Sequence, residues 1–199
     1  MNILKERIQS DGVALGTEIL KVDSFLNHQI DVELFEKIGE EFRLRFEDIE
    51  KKVDKILTIE ASGIAVAAFT ARSFGCVPVV FAKKQLPNTM DEDYYFSEIM
   101  SFTKMEMSPV RIAKKFLING ERALIIDDFL AHGQAAMGLC NLAEQAGAEV
   151  LGIGAVIEKV FQGGGNRLRE RGFRVESLAV VEKIEDGRII FGETQADGE

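Results

Sequence analysis

Four consecutive apolar residues, Ala123–Ile126, run directly into two acids, Asp127 and Asp128, and a short loop from Ala131 to Ala135 then opens an amphipathic stretch. No other part of the sequence constrains the fold as much. An apolar run without alternation suits a strand covered on both faces, as in a parallel sheet. Polar residues at the carboxyl end of such a strand stand where open α/β sheets bind their ligands. Backbone N–H groups of the loop and of the first helical turn would point at one spot, and the helix dipole adds positive potential there. A phosphate can be held in this way without Lys or Arg, and the neighbouring carboxylates could accept hydrogen bonds from sugar hydroxyls. The same spacing also suits an ordinary strand-to-helix turn with solvated acids.

The flanking segments repeat the alternation. Val32, Phe35, Ile38, Phe42 and Phe46 recur at helical spacing, which predicts a helix over 32–46. A strand is expected over Lys55–Glu60, a turn at Ala61–Gly63, a helix over Ile64–Phe74 closed by Gly75, and a strand over Val77–Ala82. After the acidic pair come an expected helix over Gln134–Ala146, strands over Val150–Ile157 and Arg174–Val181, and a turn at Asp186-Gly187 before Arg188–Phe191. The whole reads as a mostly parallel, doubly wound α/β sheet in a single domain over 1–199. A segment of about fifty residues (1–50) precedes the first core strand. Residues 83–115 break the rhythm with Pro87, Pro109 and the acidic run Asp91–Asp93, and read as an inserted flexible arm with strands at Glu98–Thr103 and Pro109–Ala113. The polar tail Thr194–Glu199 is expected to fray.

Charge and composition remove several classes of function. A net charge of −9 speaks against a general nucleic-acid binder, which needs clustered Lys and Arg. The longest apolar runs are too short for a bilayer and the charged N-terminal stretch is not a signal peptide, so a cytoplasmic protein is expected. Cys76 and Cys140 lie in apolar surroundings and are expected to be buried free thiols. His28 and His132 are too far apart in sequence to suggest a metal site. Gly163-Gly164-Gly165 lacks the spacing of a nucleotide fingerprint and reads as a flexible turn before a helix near Asn166.

Three segments in order carry a resemblance to a known family. The stretch Ala123–Ala135 looks like the motif with which type I phosphoribosyltransferases bind phosphoribosyl pyrophosphate (PRPP). Its loop departs from the common Thr- and Gly-rich form, keeping only Gly133, but Ala-x-Gly-Gln-Ala is the variant of the bacterial xanthine phosphoribosyltransferases. Leu20–Ile30 (LKVDSFLNHQI) resembles that subfamily's N-terminal base-binding segment, and Ile157-Glu-Lys159-x-Phe161 its late base-contacting segment. The resemblance implies the type I phosphoribosyltransferase fold, with residues 83–115 as its flexible hood. It implies an enzyme of purine salvage that converts xanthine and PRPP to xanthosine 5′-monophosphate and pyrophosphate, with Mg²⁺ accompanying PRPP.

By the same resemblance Leu20, Asn27 and Lys159 contact the purine, and Ala131, His132, Gly133, Gln134 and Ala135 bind PRPP. Asp127 and Asp128 are the catalytic candidates on the ribose. Asn27 can both donate and accept along a base edge, and Lys159 could donate to a xanthine carbonyl or favour the anionic base. Read without the family, Leu20 suits plain core, Asn27 a turn and Lys159 a solvated strand end. Glu60-Ala61-Ser62-Gly63 stands where the fold places its pyrophosphate loop, and Lys83 and Lys84 at the start of the hood could neutralise pyrophosphate; an ordinary turn and a solvated basic pair are the alternatives. A homodimer is expected, partly because the hood carries Tyr94, Tyr95, Phe96, Ile99 and Phe102, which a monomer would leave near solvent. The competing functions are an enzyme for hypoxanthine and guanine or for adenine, and a PRPP-sensing transcriptional regulator without catalysis.

Overall fold

The first helix, α1 (Asn2–Asp11), buries Leu4 and Ile8, and a small antiparallel hairpin of β1 (Val13–Leu15) and β2 (Ile19–Lys21) follows. The computed structural model describes residues 1–85, 93–101 and 106–192. A π-type turn, Asp23–Asn27, then buries Phe25 and Leu26. No periodicity in the sequence predicts an element in this stretch. Its strands are only three residues long, too short for a periodicity to show.

α2 (Val32–Arg45) begins at Asp31, whose carboxylate accepts a hydrogen bond from the Leu34 N–H at 3.1 Å. That contact satisfies one of the otherwise unpaired amides of the first turn. β3 (Lys55–Ile59), α3 (Gly63–Ser73) and β4 (Val79–Ala82) form the expected β-turn-α-β unit. The hood hairpin comprises β5 (Tyr94–Ser101) and β6 (Glu106–Ala113). Then come β7 (Arg122–Leu130), α4 (Gln134–Ala146), β8 (Glu149–Lys159), α5 (Gly164–Glu170), β9 (Val175–Glu185) and β10 (Arg188–Phe191). The main sheet has the order β10-β9-β8-β7-β3-β4, parallel throughout except for the edge hairpin of β9 and β10.

Alternation along β7 divides the core. Leu124 and Ile126 pack with α2, α3 and the N-terminal segment, whereas Ala123 and Ile125 pack with α4 and the hood. Both faces of the sheet are covered, which explains the unbroken apolar run. The hood is held to α4 at its base. Ile99 lies against Gly138, and the Gln145 side-chain amide brackets Phe96, accepting from its N–H at 3.2 Å and donating to its carbonyl at 2.7 Å.

Several expectations are corrected. β7 does not end at Asp127 but runs to Leu130, paired with β8 as far as Glu158, so both acids lie within the strand. The hood strands are longer than expected, and the expected residues Phe102 and Thr103 lie outside the described ones, as do Asp91 and the tail Thr194–Glu199. Ile99 is buried within the chain and needs no partner subunit to cover it. Cys76 is exposed in a left-handed conformation (φ 62°); only Cys140 is buried, and burial pushes its thiol up to about 12. The triple glycine is not a loose turn: α5 starts at Gly164, and Gly164 and Gly165 are both buried.

Candidate active site

The carboxyl end of β7 and the start of α4 frame a cavity of about 200 Å³ lined by Asp127, Phe129 and the whole of Ala131–Ala136, with Met100 from the hood and Ile153–Ala155 from β8. All five residues expected to hold PRPP therefore line one space. Gly133 caps α4 with φ 74°, a left-handed conformation that glycine adopts without the penalty a side chain brings. That turn lets the chain leave the strand and enter the helix within three residues, with the amides of the first turn facing the cavity end of the helix.

Asp127 and Asp128 are almost fully buried, at 8% and 7% exposure. Burial foremost, and then the neighbouring Asp128 charge, holds the Asp127 carboxyl well above the usual carboxylate range. Lys84 acts in the opposite direction and favours the ionised form. The turn after β3 closes against the same acid. A side chain on Gly63 would bring its Cβ to 2.8 Å from Asp127 Oδ1. Glu60 accepts from the Lys84 N–H at 2.5 Å. Thus Gly63 and Lys84 of the expected pyrophosphate site act on Asp127, and Glu60 holds the Lys84 backbone, with Ala61 and Ser62 completing the turn; the Glu60–Ala61 peptide is cis. Lys83 behaves differently. Its backbone pairs with Arg111 of β6 at 2.9 and 3.0 Å, hooking the hood to the sheet edge, and its ammonium lies 5.7 Å from the Phe81 ring centroid.

Of the residues expected to contact the base, Lys159 ends β8 and reaches the N-terminal hairpin. Its Nζ donates to the Glu18 carbonyl at 3.0 Å and lies 5.7 Å from the Phe129 ring centroid. Burial holds the Lys159 amine below the ordinary lysine range, with the Glu18 charge opposing. Leu20 is 6% exposed, two residues beyond Glu18, so Lys159 meets the segment that carries it. Asn27 is exposed at the end of the π-type turn.

A second group was missed. Glu158, 1% exposed, accepts a two-point salt bridge from Arg169 at 2.8 and 2.9 Å and a hydrogen bond from Ser177 Oγ at 2.6 Å. Arg167 reaches the loop between β7 and α4, donating to the His132 carbonyl at 3.0 Å. An acid directly after the apolar run 152–157, within the same strand, is the available sign, since a buried charge there requires a partner.

An acid pair near the carboxyl end of β7, a glycine-capped helix and the hood meet at one cavity, and the chain belongs to the phosphoribosyl transferase domain family, whose model matches residues 28–168. Among curated proteins it is 52% identical to the xanthine phosphoribosyltransferase of Ruminiclostridium cellulolyticum over 193 residues, covering 97% of this chain and all of the relative. It is 54% identical to xanthine phosphoribosyltransferase 1 of Clostridium perfringens over 191 residues, covering 96% of this chain and all of that one. Among solved structures, the adenine phosphoribosyltransferase of Thermoanaerobacter pseudethanolicus superposes with a TM-score of 0.65 at 27% identity, over 75% of this chain and 81% of that one. The Rhodothermus marinus adenine phosphoribosyltransferase gives 0.71 over 91% of this chain and all of its own; at 19% identity it speaks for the fold alone. The expected type I phosphoribosyltransferase fold is thereby established.

Proposed function

We propose that this protein transfers the phosphoribosyl group of PRPP to xanthine, yielding xanthosine 5′-monophosphate and pyrophosphate in purine salvage. The observation that carries this reading is the identity of 52% and 54% to xanthine phosphoribosyltransferases across nearly the whole chain. N9 of the base forms a bond to C1 of the ribose as the C1–O bond to diphosphate breaks, and the electron pair leaves with pyrophosphate. The base gives up its proton to solvent before or during attack. By analogy with other displacements at a sugar carbon, the transition state is oxocarbenium-like. Such a reaction asks for positioning and charge stabilisation more than for a strong base.

Each residue then has a task. The amides of Ala131–Ala135 hold the 5′-phosphate. Asp127 and Asp128 accept from the ribose hydroxyls, and the Lys84 charge opposes the burial that favours the neutral Asp127 acid. Glu60–Gly63 surrounds the diphosphate. Lys159 exchanges the Glu18 carbonyl for a xanthine oxygen, and an anionic base restores the charged state that burial disfavours. Leu20 packs on the ring and Asn27 reads its edge.

Mg²⁺ suits this site as a companion of PRPP. The crowded Asp127–Asp128 pair favours added positive charge, while no cluster of three or more His, Cys, Asp or Glu among the described residues is placed to hold a metal alone. When bound, Mg²⁺ neutralises the leaving diphosphate. No helix among the described residues is long and apolar enough to cross a membrane, and a cytoplasmic site of action fits the substrates. A homodimer is part of the proposal, supported by the exposed apolar side chains Phe81, Phe96 and Met107 on β4 and the hood.

The test is direct: incubate the protein with PRPP, Mg²⁺ and each of xanthine, guanine, hypoxanthine and adenine, and follow nucleotide formation. Xanthine should give the highest kcat/KM. Preference for adenine, or no turnover with any base, would overturn the reading.

A further inference from the structure

Behind the phosphate loop stands a layer that the transfer chemistry does not itself use. The Gly164 N–H donates to the Ala131 carbonyl at 3.0 Å. Arg167 Nη2 donates to two carbonyls at once, His132 at 3.0 Å in the loop and Gln162 at 3.0 Å in the segment that follows Lys159. The loop and this segment touch backbone to backbone: a Cβ on Gly133 would lie 3.2 Å from Gly164 Cα, and one on Gly164 would collide with Ala131 and Gly133. On the other side, a Cβ on Gly165 would collide with the Glu158 carboxylate, which Arg169 and Ser177 hold in place. Glu158, the neighbour of Lys159, thereby anchors α5, and α5 supports the loop.

We infer that Arg167 is a positioning residue for the 5′-phosphate. It ties the His132 carbonyl to the Gln162 carbonyl and so fixes the loop amides in their binding arrangement before phosphate arrives. Holding the loop Ala131–Gly133 in one arrangement, with Gly133 in a left-handed conformation, costs conformational entropy. Ordering it beforehand removes that cost from the binding step. The planar guanidinium presents its donors in a rigid fork and can span two fixed carbonyls, which a lysine ammonium on a flexible stem does less well. This inference rests on the reading that residues 131–135 hold the phosphate of PRPP.

The test compares wild type, Arg167→Ala and Arg167→Lys. Calorimetric titration uses ribose 5-phosphate, which carries the phosphate without a base or leaving group, and steady-state kinetics use PRPP and xanthine. Loss of this preorganising contact should weaken ribose 5-phosphate binding and raise KM for PRPP about tenfold in Arg167→Ala, a typical cost of one hydrogen bond from a charged group. At saturating PRPP, kcat should stay within about twofold of wild type and KM for xanthine should not move. Arg167→Lys should recover only part of the affinity, and its deficit should persist at high salt. Full recovery by lysine, with a defect that vanishes at high salt, would mean that Arg167 merely attracts phosphate by charge, and would overturn the inference. So would a lower melting temperature with unchanged KM for PRPP, the mark of a structural role alone. If wild type binds ribose 5-phosphate and both variants bind it equally well, the positioning role is wrong while the functional reading stands. If wild type itself binds neither ribose 5-phosphate nor PRPP, both are wrong.

Discussion

Gly63 stands so close to Asp127 that a Cβ on it would lie 2.8 Å from the Asp127 Oδ1. The turn after β3 and the acid of β7 therefore share one contact, and a change in either is felt at both. Gly63→Ala would collide first with the buried Thr58 hydroxyl and then with the Asp127 carboxylate, and should displace both, at a cost of about 1–3 kcal/mol typical of overpacking. Turnover should fall along with melting temperature. Asp127→Asn and Asp128→Asn, which keep the volume, should reduce turnover more than they reduce xanthine binding. Steady-state kinetics with both substrates varied will check this, and wild-type turnover in the two asparagine variants would remove the acids from the mechanism.

Gly133→Val should weaken PRPP binding by at least about tenfold. The native φ of 74° is strained for a β-branched residue, and the added Cβ would press on Gly164 at 3.2 Å. Calorimetric titration with PRPP will measure it. An unchanged affinity would show that this is not the phosphate loop.

Lys159→Ala should lower kcat/KM for xanthine by roughly ten- to hundredfold, the equivalent of about 1.5–3 kcal/mol for a lost charge-assisted hydrogen bond. KM for PRPP should change far less. Hypoxanthine, without the 2-oxo group, should lose less, and Lys159→Gln should recover part of the loss if hydrogen bonding matters. The pH dependence has a definite sign. Raising pH through xanthine's first ionisation should help wild type more than the alanine variant. That advantage should then fade as pH passes the Lys159 pKa, which burial places below the ordinary lysine value of 10.5. Intact xanthine kinetics in Lys159→Ala would leave the base preference to Leu20 and Asn27.

Asp54 and Arg122 tie the starts of β3 and β7 together. Asp54 accepts from the Arg122 N–H and from two guanidinium nitrogens, all at 2.9 Å, and these bonds lower its carboxyl from 3.8 to about 2. A depressed folded pKa stabilises the protein above pH 3.8 and loses that contribution as pH falls toward 2. The pair is partly exposed, so solvent screening limits its worth to about 1 kcal/mol, or about 2–4 °C in melting temperature. Asp54→Asn should be less stable than wild type at pH 7, and the gap should close between pH 3.8 and 2. A gap that does not change with pH would refute the assignment.

Sedimentation at micromolar concentration should show a dimer. Charge substitutions at exposed Phe96 and Met107 of the hood should shift it toward monomer without altering Ile99, which is already covered by α4. A wild type that sediments only as monomer would overturn the dimer.

Most of the fold was legible in the sequence because its elements are long and patterned. The α2 stripe from Phe35 to Phe42, the apolar run of β7 and the helix Gln134–Ala146 each carry enough residues for a periodicity to declare itself. The three-residue strands β1 and β2 do not, and the exposure of Cys76 depends on which neighbours fail to cover it.

The sequence by itself determined the strands and helices, the acid pair and the glycine that caps α4, because these are local: each needs only neighbouring residues and the backbone geometry that they impose. Only the tertiary structure decided that Gly63 abuts Asp127, that Lys159 reaches the Glu18 carbonyl 141 residues away, and that Arg167 reaches the His132 carbonyl 35 residues away. Close packing brings such pairs together, and packing depends on the volume and direction of side chains from several elements at once.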